Sequence, residues 1–343
     1  MIAVMKALRQ LEPGMDLLIR TTVPEWLFRG GIQGDFAIFP ARIDAGVVEQ
    51  DLFSQDSLAT LEAAAAIFSE EQELVAEEAG FALEHKVDVI VSDIPPLASI
   101  IGHKISVPVV AIGNFSWDFV YRPYATRHAE YSHLIGAIEE AYAKTTLMLR
   151  LPLGHEMRSF PNVQDIPFIA REPSSSREET RRELGLAECG RPIILVAVRQ
   201  GFDASEAVVR LAEEASCKVL VFADIEEARH CDVLRLDERW QSRFLDVLAA
   251  SDAIVSKLGY GIAADCLAAH KPLIFPPRLD WAEHDLLVGG IHGVLPALNL
   301  PMEDFKKGEW ATQVTKFLSE PMIWGDVDTG GAIIAAEIIR SYG

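Results

Sequence analysis

The chain has 343 residues, half of them hydrophobic and 24% charged, a length that suits two domains better than one compact core. A formal net charge of −20, interrupted only by the short Arg177–Arg182 segment, repels DNA, RNA and anionic lipid, so no nucleic-acid partner is expected. No run approaches the ~20 apolar residues of a membrane span, and the first residues lack a signal-peptide pattern, so a cytoplasmic protein is expected. Cys189, Cys217, Cys231 and Cys266 have no CxxC spacing and read as reduced core thiols.

From Ile2 to Leu11 apolar residues recur at helical spacing until Pro13-Gly14 ends the pattern. Asp16–Arg20 and Phe36–Phe39 are short apolar runs bounded by turn residues and read as buried strands. Ser57 to Lys86, rich in Ala, Glu and Leu, predicts one long helix or two, leading into Val87–Asp93, the clearest strand of the first half. Ile94-Pro95-Pro96 then breaks regular structure. A short helix, a strand over Val107–Ile112, a helix around His133–Lys144 and a strand over Leu147–Leu151 follow. Such alternation requires crossover connections and therefore parallel pairing, a Rossmann-like pattern.

Residues 152–190, with Pro, Ser and a charged helix over Ser176–Leu186, read as a linker and the entry to a second domain. The alternation then repeats, with strands over Pro192–Val198, Lys218–Phe222, Ala253–Ser256 and Pro272–Phe275. Helices over Ala204–Ala215, Trp240–Ala250 and Gly261–Ala269 separate them. An apolar helix over Gly330–Tyr342 closes the chain. The expected division is residues 1–160 joined by 322–343 as the first domain, and 161–321 as the second.

Chemistry-bearing residues gather where strands end. Ser256-Lys257-Leu258-Gly259-Tyr260-Gly261 places a glycine turn between a strand and a helix, where backbone N–H groups and the positive helix end suit a diphosphate. A tight connection needing glycine fits the same residues. Asp265, one turn further on, is placed to accept hydrogen bonds from a ribose. Asn114, Ser116, Trp117 and Asp118 lie just beyond another strand, where an aromatic plate beside amide and carboxylate groups suits a sugar. Core packing of Trp117 and helix capping by Asp118 are the alternatives. Asp93 ends a third strand as a candidate general base toward an acceptor hydroxyl, or as a turn residue before Pro95-Pro96.

The segment from Ala250 through Asp265 to Lys271–Pro277 resembles the donor-site signature of GT-B glycosyltransferases. More closely, the chain is similar to the glycosyltransferase-like domain fused to plant L-arabinokinases and to its stand-alone bacterial relatives. The matching residues are Val91-Ser92-Asp93 with Pro95, Gly113 through Tyr121, Tyr131-Ser132-His133, Leu149–Pro152, Arg182–Gly185, and Ala249–Asp252 with Lys257–Gly261. The resemblance implies two Rossmann-like domains with parallel sheets facing a cleft, and the closing helix crossing back onto the first domain. It implies a metal-independent transfer from a nucleotide-sugar, a UDP-sugar, with the donor on the second domain and the acceptor on the first. No cofactor beyond that substrate is expected.

Gly259, Gly261, Lys257, Tyr260 and Asp265 fall at the implied donor site, with Glu283 and His284 at the sugar and His133 on the acceptor side. Where the family carries a Gly-Gly loop this chain has Val198-Arg199-Gln200-Gly201, and Arg199 offers a charge to the diphosphate instead. The family's first strand and its Gly-His loop have no counterpart, so the first sheet is expected to lack a strand. A non-catalytic module that binds a nucleotide-sugar or a partner, and an epimerase or hydrolase on the same fold, remain alternatives.

Overall fold

The computed structural model describes every residue except 30, 33, 52, 198–204 and 223–231. Its first half runs α1 (Ile2–Leu11), β1 (Leu18–Arg20), α2 (Trp26–Arg29), β2 (Ala37–Phe39), α3 (Ser57–Ser69), α4 (Glu71–Glu84) and β3 (Ile90–Ser92). It continues with α5 (Pro96–Ile105), β4 (Val109–Gly113), α6 (Trp117–Arg127), α7 (Ser132–Tyr142), β5 (Leu147–Arg150) and β6 (Val163–Asp165). Local chemistry sets these boundaries. Asp56 caps α3 by accepting from the Ala59 amide at 2.9 Å, and the helical stretch over 57–86 breaks at Glu70, which ends α3 and opens α4. Pro96 opens α5, whose missing N–H costs nothing at a helix start, and left-handed Ser106 ends it.

The strands β3-β4-β5-β6 form one parallel sheet, and β1-β2 form a separate parallel pair. Among the described residues no strand joins the two. β6 falls inside the stretch read as linker. All three of its residues are exposed, so no apolar pattern marks it, and the Arg150–Asp165 ion pair at 2.5 Å holds it to β5.

The second half runs α8 (Arg177–Glu183), β7 (Ile193–Ala197), α9 (Ser205–Glu214), β8 (Lys218–Val221), β9 (Val233–Arg235), α10 (Phe244–Ala250), β10 (Ala253–Ser256) and α11 (Tyr260–Ala269). Then come β11 (Leu273–Phe275), α12 (Ala282–Ile291), β12 (Ala297–Asn299), α13 (Met302–Lys307), α14 (Ala311–Ser319) and α15 (Gly331–Arg340). Its six strands are all parallel in the order β12-β11-β10-β7-β8-β9. Because side chains alternate along a strand, Ile194 and Val196 of β7 enter one core while Ile193 and Leu195 enter the other. Helices therefore cover both faces, as parallel sheets require.

The chain reverses direction across the sheet between β7 and β10, which opens a crevice at their carboxyl ends. The closing helix α15 returns to the first half, where Ala335, Ala336 and Ile339 pack on Val4, Ala7, Leu8, Val110 and Leu149. No helix among the described residues is long and apolar enough to cross a membrane. Cys217 and Cys266 are buried free thiols and Cys189 is half-buried and free, while Cys231 lies outside the described residues.

Candidate functional site

The turn from β10 into α11 sits at the crevice between β7 and β10. Gly259 is the N-cap of α11 in extended conformation, with no side chain bonding the first-turn amides. Those N–H groups lack intrahelical partners and carry the positive end of the helix dipole. Among the described residues, a methyl group placed on Gly259 or on Gly261 would meet no atom within 4 Å. The geometry suits an anion lodged against backbone amides.

Residues flanking this turn tie the two halves together. Lys257 Nζ reaches Glu49 of the first half at 2.8 Å. The Tyr260 hydroxyl accepts from the Ile169 amide at 3.1 Å, and its ring stacks on Phe168. Asp265 is buried, with both carboxylate oxygens taken by Arg171, one of them at 3.2 Å. Burial raises its carboxyl above the usual range and the guanidinium pulls it back. The ribose contact expected of Asp265 is thus occupied by an arginine from the inter-domain segment. Arg199 lies outside the described residues.

Asn114 and Glu283, expected on opposite sides of the cleft, meet directly: Asn114 Nδ2 donates to Glu283 Oε1 at 2.8 Å. Trp281 Nε1 donates to the other oxygen at 2.8 Å, which leaves Glu283 buried and doubly bonded. Next to it, His284 Nε2 accepts from the Arg278 amide at 3.3 Å, so the ring proton sits on Nδ1, where it finds no acceptor among the described residues. Burial lowers the His284 pKa and keeps the ring neutral. Further bridges run from the Tyr124 hydroxyl to the Asp280 carbonyl and from Arg127 to the Asp280 carboxylate, both at 2.6 Å.

On the first domain the carboxyl ends of β3 and β4 converge. Asp93 is accessible to solvent yet surrounded by protein; desolvation raises its carboxyl above the usual range, and the Met1 ammonium pulls it down. The next residue, Ile94, has φ of 59°, a left-handed conformation that a β-branched side chain rarely adopts. Packing holds it there, because the Tyr142 hydroxyl donates to its carbonyl at 2.7 Å. A side chain on Gly113 would meet the Ile94 methyl at 2.9 Å, so β4 must end in glycine for the two loops to touch. Strain of this kind persists where surrounding contacts over-determine it, commonly at sites of function.

A second carboxylate, Asp44, belongs to this corner and was not singled out from sequence. It accepts from Trp117 Nε1 at 2.9 Å, and burial together with the Asp93 charge pushes its pKa up to about 6. Asp44 lies in the irregular segment between β2 and α3, where no periodicity points to any residue. Trp117 itself is buried, stacked on Tyr121 with centroids 5.1 Å apart, so the structure places it in the core rather than as an open plate.

Ser116 and Asp118 form a buried cluster with residues that follow β5. Ser116 Oγ donates to Asp118 and lies 2.9 Å from His155 Nε2, and Ser159 Oγ donates to Asp118 at 2.8 Å. Asp118 is therefore bonded within its own domain. His133 is exposed at the start of α7 and donates from Nδ1 to the Glu130 carbonyl at 2.9 Å, apart from the other residues of the site.

Parallel sheets in both halves, a switch-point crevice in the second and a closing helix that returns to the first domain define the GT-B fold. Solved structures agree with this assignment. The spinosyn forosaminyltransferase SpnP superposes with a TM-score of 0.62 at 14% identity, covering 99% of this chain and 90% of that one. The spinosyn rhamnosyltransferase SpnG gives 0.61 at 14% identity, covering 100% and 91%. The Streptomyces sp. SF2575 glycosyltransferase SsfS6, solved with thymidine diphosphate, gives 0.59 at 12% identity, covering 99% and 95%. Among curated proteins the chain is similar to L-arabinokinase of Arabidopsis thaliana, 28% identical over 337 residues. The match covers 96% of this chain and 32% of the relative, so the chain spans about a third of that protein's length. No protein-family model matches the chain.

Proposed function

We propose that the protein transfers a sugar from a nucleotide-sugar, a UDP-sugar, to an acceptor hydroxyl. The observation that carries the proposal is the N-terminus of α11 at the switch point of the second sheet, where no described residue crowds Gly259 or Gly261. The amides following Gly259 would hold the diphosphate and stabilise the leaving group as charge develops on it, without a bridging metal. His284 Nδ1–H would donate to a sugar hydroxyl. Asp93 would take the acceptor proton, with Asp44 nearby; burial tunes both carboxyls upward toward neutrality. Asp118 would hold Ser116 and the start of α6 in place, a positioning role.

A second reading, a nucleotide-sugar-binding module without transfer, is favoured by one observation: Glu283 and Asp265 are both bonded to protein groups. The test uses thermal shift and donor consumption together. A panel of UDP-, TDP-, ADP- and GDP-sugars should raise the melting temperature for at least one donor; saturation at a hundred times Kd adds about 2.7 kcal/mol. Consumption of that donor supports transfer, stabilisation without consumption supports the binding module, and no shift with any donor overturns both.

A further inference from the structure

A second cleft, of about 600 Å³, lies on the other side of the second domain, with Arg177, Arg191, Asp252, His270, Lys271 and Trp324 among its lining residues. Pro192, Asp252 and Pro272 in its wall immediately precede β7, β10 and β11, so the cleft sits at the amino ends of the strands. The four residues of β10, about 13 Å of extended chain, separate it from the Gly259 turn.

Cations dominate its lining. Asp252 is the one carboxylate there, and its oxygens already accept from Arg177, from Arg181 at 3.0 Å and from the Ile193 amide at 2.8 Å. Lys271 is 6% exposed, and its ammonium has no hydrogen bond or ion pair among the described residues. Asp252 and Glu178 offset part of the cost of burying this ammonium, yet neither bonds it, and a bound anion would supply the missing partner. The chain as a whole, at net charge −20, repels such anions, so a local excess of positive charge around a hollow is chemically selective. Trp324, tilted against His270 with centroids 4.6 Å apart, adds an aromatic edge to the rim.

We infer that this cleft is a second ligand site, taking the phosphate group of a phosphorylated small molecule between Lys271 and Arg177. The pairing joins a point charge to a planar fork of donors, the combination that suits phosphate oxygens. The volume exceeds what a bare phosphate fills and leaves room for an organic group against Trp324. Desolvation and the neighbouring Arg177 lower the Lys271 pKa to about 8. An anion beside it favours the ammonium, so binding takes up a proton and weakens as pH rises past that value.

The experiment uses the full chain carrying Gly259→Asp, which places a carboxylate at the other anion site, and titrates it with inorganic pyrophosphate and with sulfate. Sulfate keeps its charge across the range and isolates the lysine. Binding of pyrophosphate that weakens at least tenfold in Lys271→Met and in Lys271→Gln is the expected result. Sulfate affinity should fall about tenfold per pH unit above pH 8. No binding to the Gly259→Asp protein, undiminished binding in both lysine variants, or a flat sulfate profile between pH 7 and 9.5 would each overturn the inference.

Discussion

At the scale of single residues, the account turns on two carboxylates. Asp93→Asn keeps the size and removes the base, so turnover should drop by about 10² or more with donor binding unchanged. An unchanged rate in a steady-state assay would remove Asp93 from the chemistry. Asp44 leaves a thermodynamic trace. It holds its proton to about pH 6 when folded, against 3.8 for an ordinary aspartate. The folded state therefore binds more protons between these values, and stability from this group declines as pH rises from 4 to 6 and stays lower above that. A gap of two units corresponds to at most about 3 kcal/mol. Asp44→Asn should abolish this part of the decline, so urea melts should show the variant gaining on the wild type between pH 4 and pH 7. Parallel profiles would contradict it. The place of Asp93 directly after a strand was legible, because the apolar run before it marks β3. Asp44 was not, since it is defined by a tertiary contact with Trp117, and Ile94 announced a break in regular structure without announcing its left-handed backbone.

At the scale of elements, helices and strands with an apolar period were readable, and exposed or very short ones were not. α1 and α15 fall where their patterns place them because one face of each is buried, and β4 and β10 because every residue of their apolar runs is. β6 shows no apolar residue pattern, since its exposed residues are held by backbone pairing and one arginine. The loop before α12 shows a different limit. Glu283 read as a sugar contact, whereas it is buried and joins the lobes through Asn114 and Trp281. Glu283→Ala strands two buried donors, each costing about 1–3 kcal/mol. Chemical denaturation should register a loss of about 2–4 kcal/mol. A loss below about 0.5 kcal/mol would mean that water replaces the carboxylate and the lobes are not braced there.

For the molecule as a whole, two domains of parallel strands could be read from alternation alone, and the resemblance added which way the lobes face. How they are fastened could not. Lys257–Glu49 and Arg127–Asp280 each join residues more than a hundred positions apart on different lobes, where no local pattern reaches. The return of α15 is the largest apolar fastening, and Ala336 has no exposed surface. Ala336→Asp buries an unpaired charge between α15 and α1, so a loss of more than about 3 kcal/mol is expected, with the two lobes no longer melting as one. The central claim is that the amides after Gly259 hold a nucleotide diphosphate. Calorimetric titration of the wild type and of Gly259→Asp with UDP and TDP tests it directly, because aspartate is a favourable N-cap that preserves α11 while setting a negative charge against the phosphates. The account expects measurable binding by the wild type, loss of at least a hundredfold in affinity in the variant and an unchanged melting temperature without ligand; equal affinity in the two proteins would contradict it.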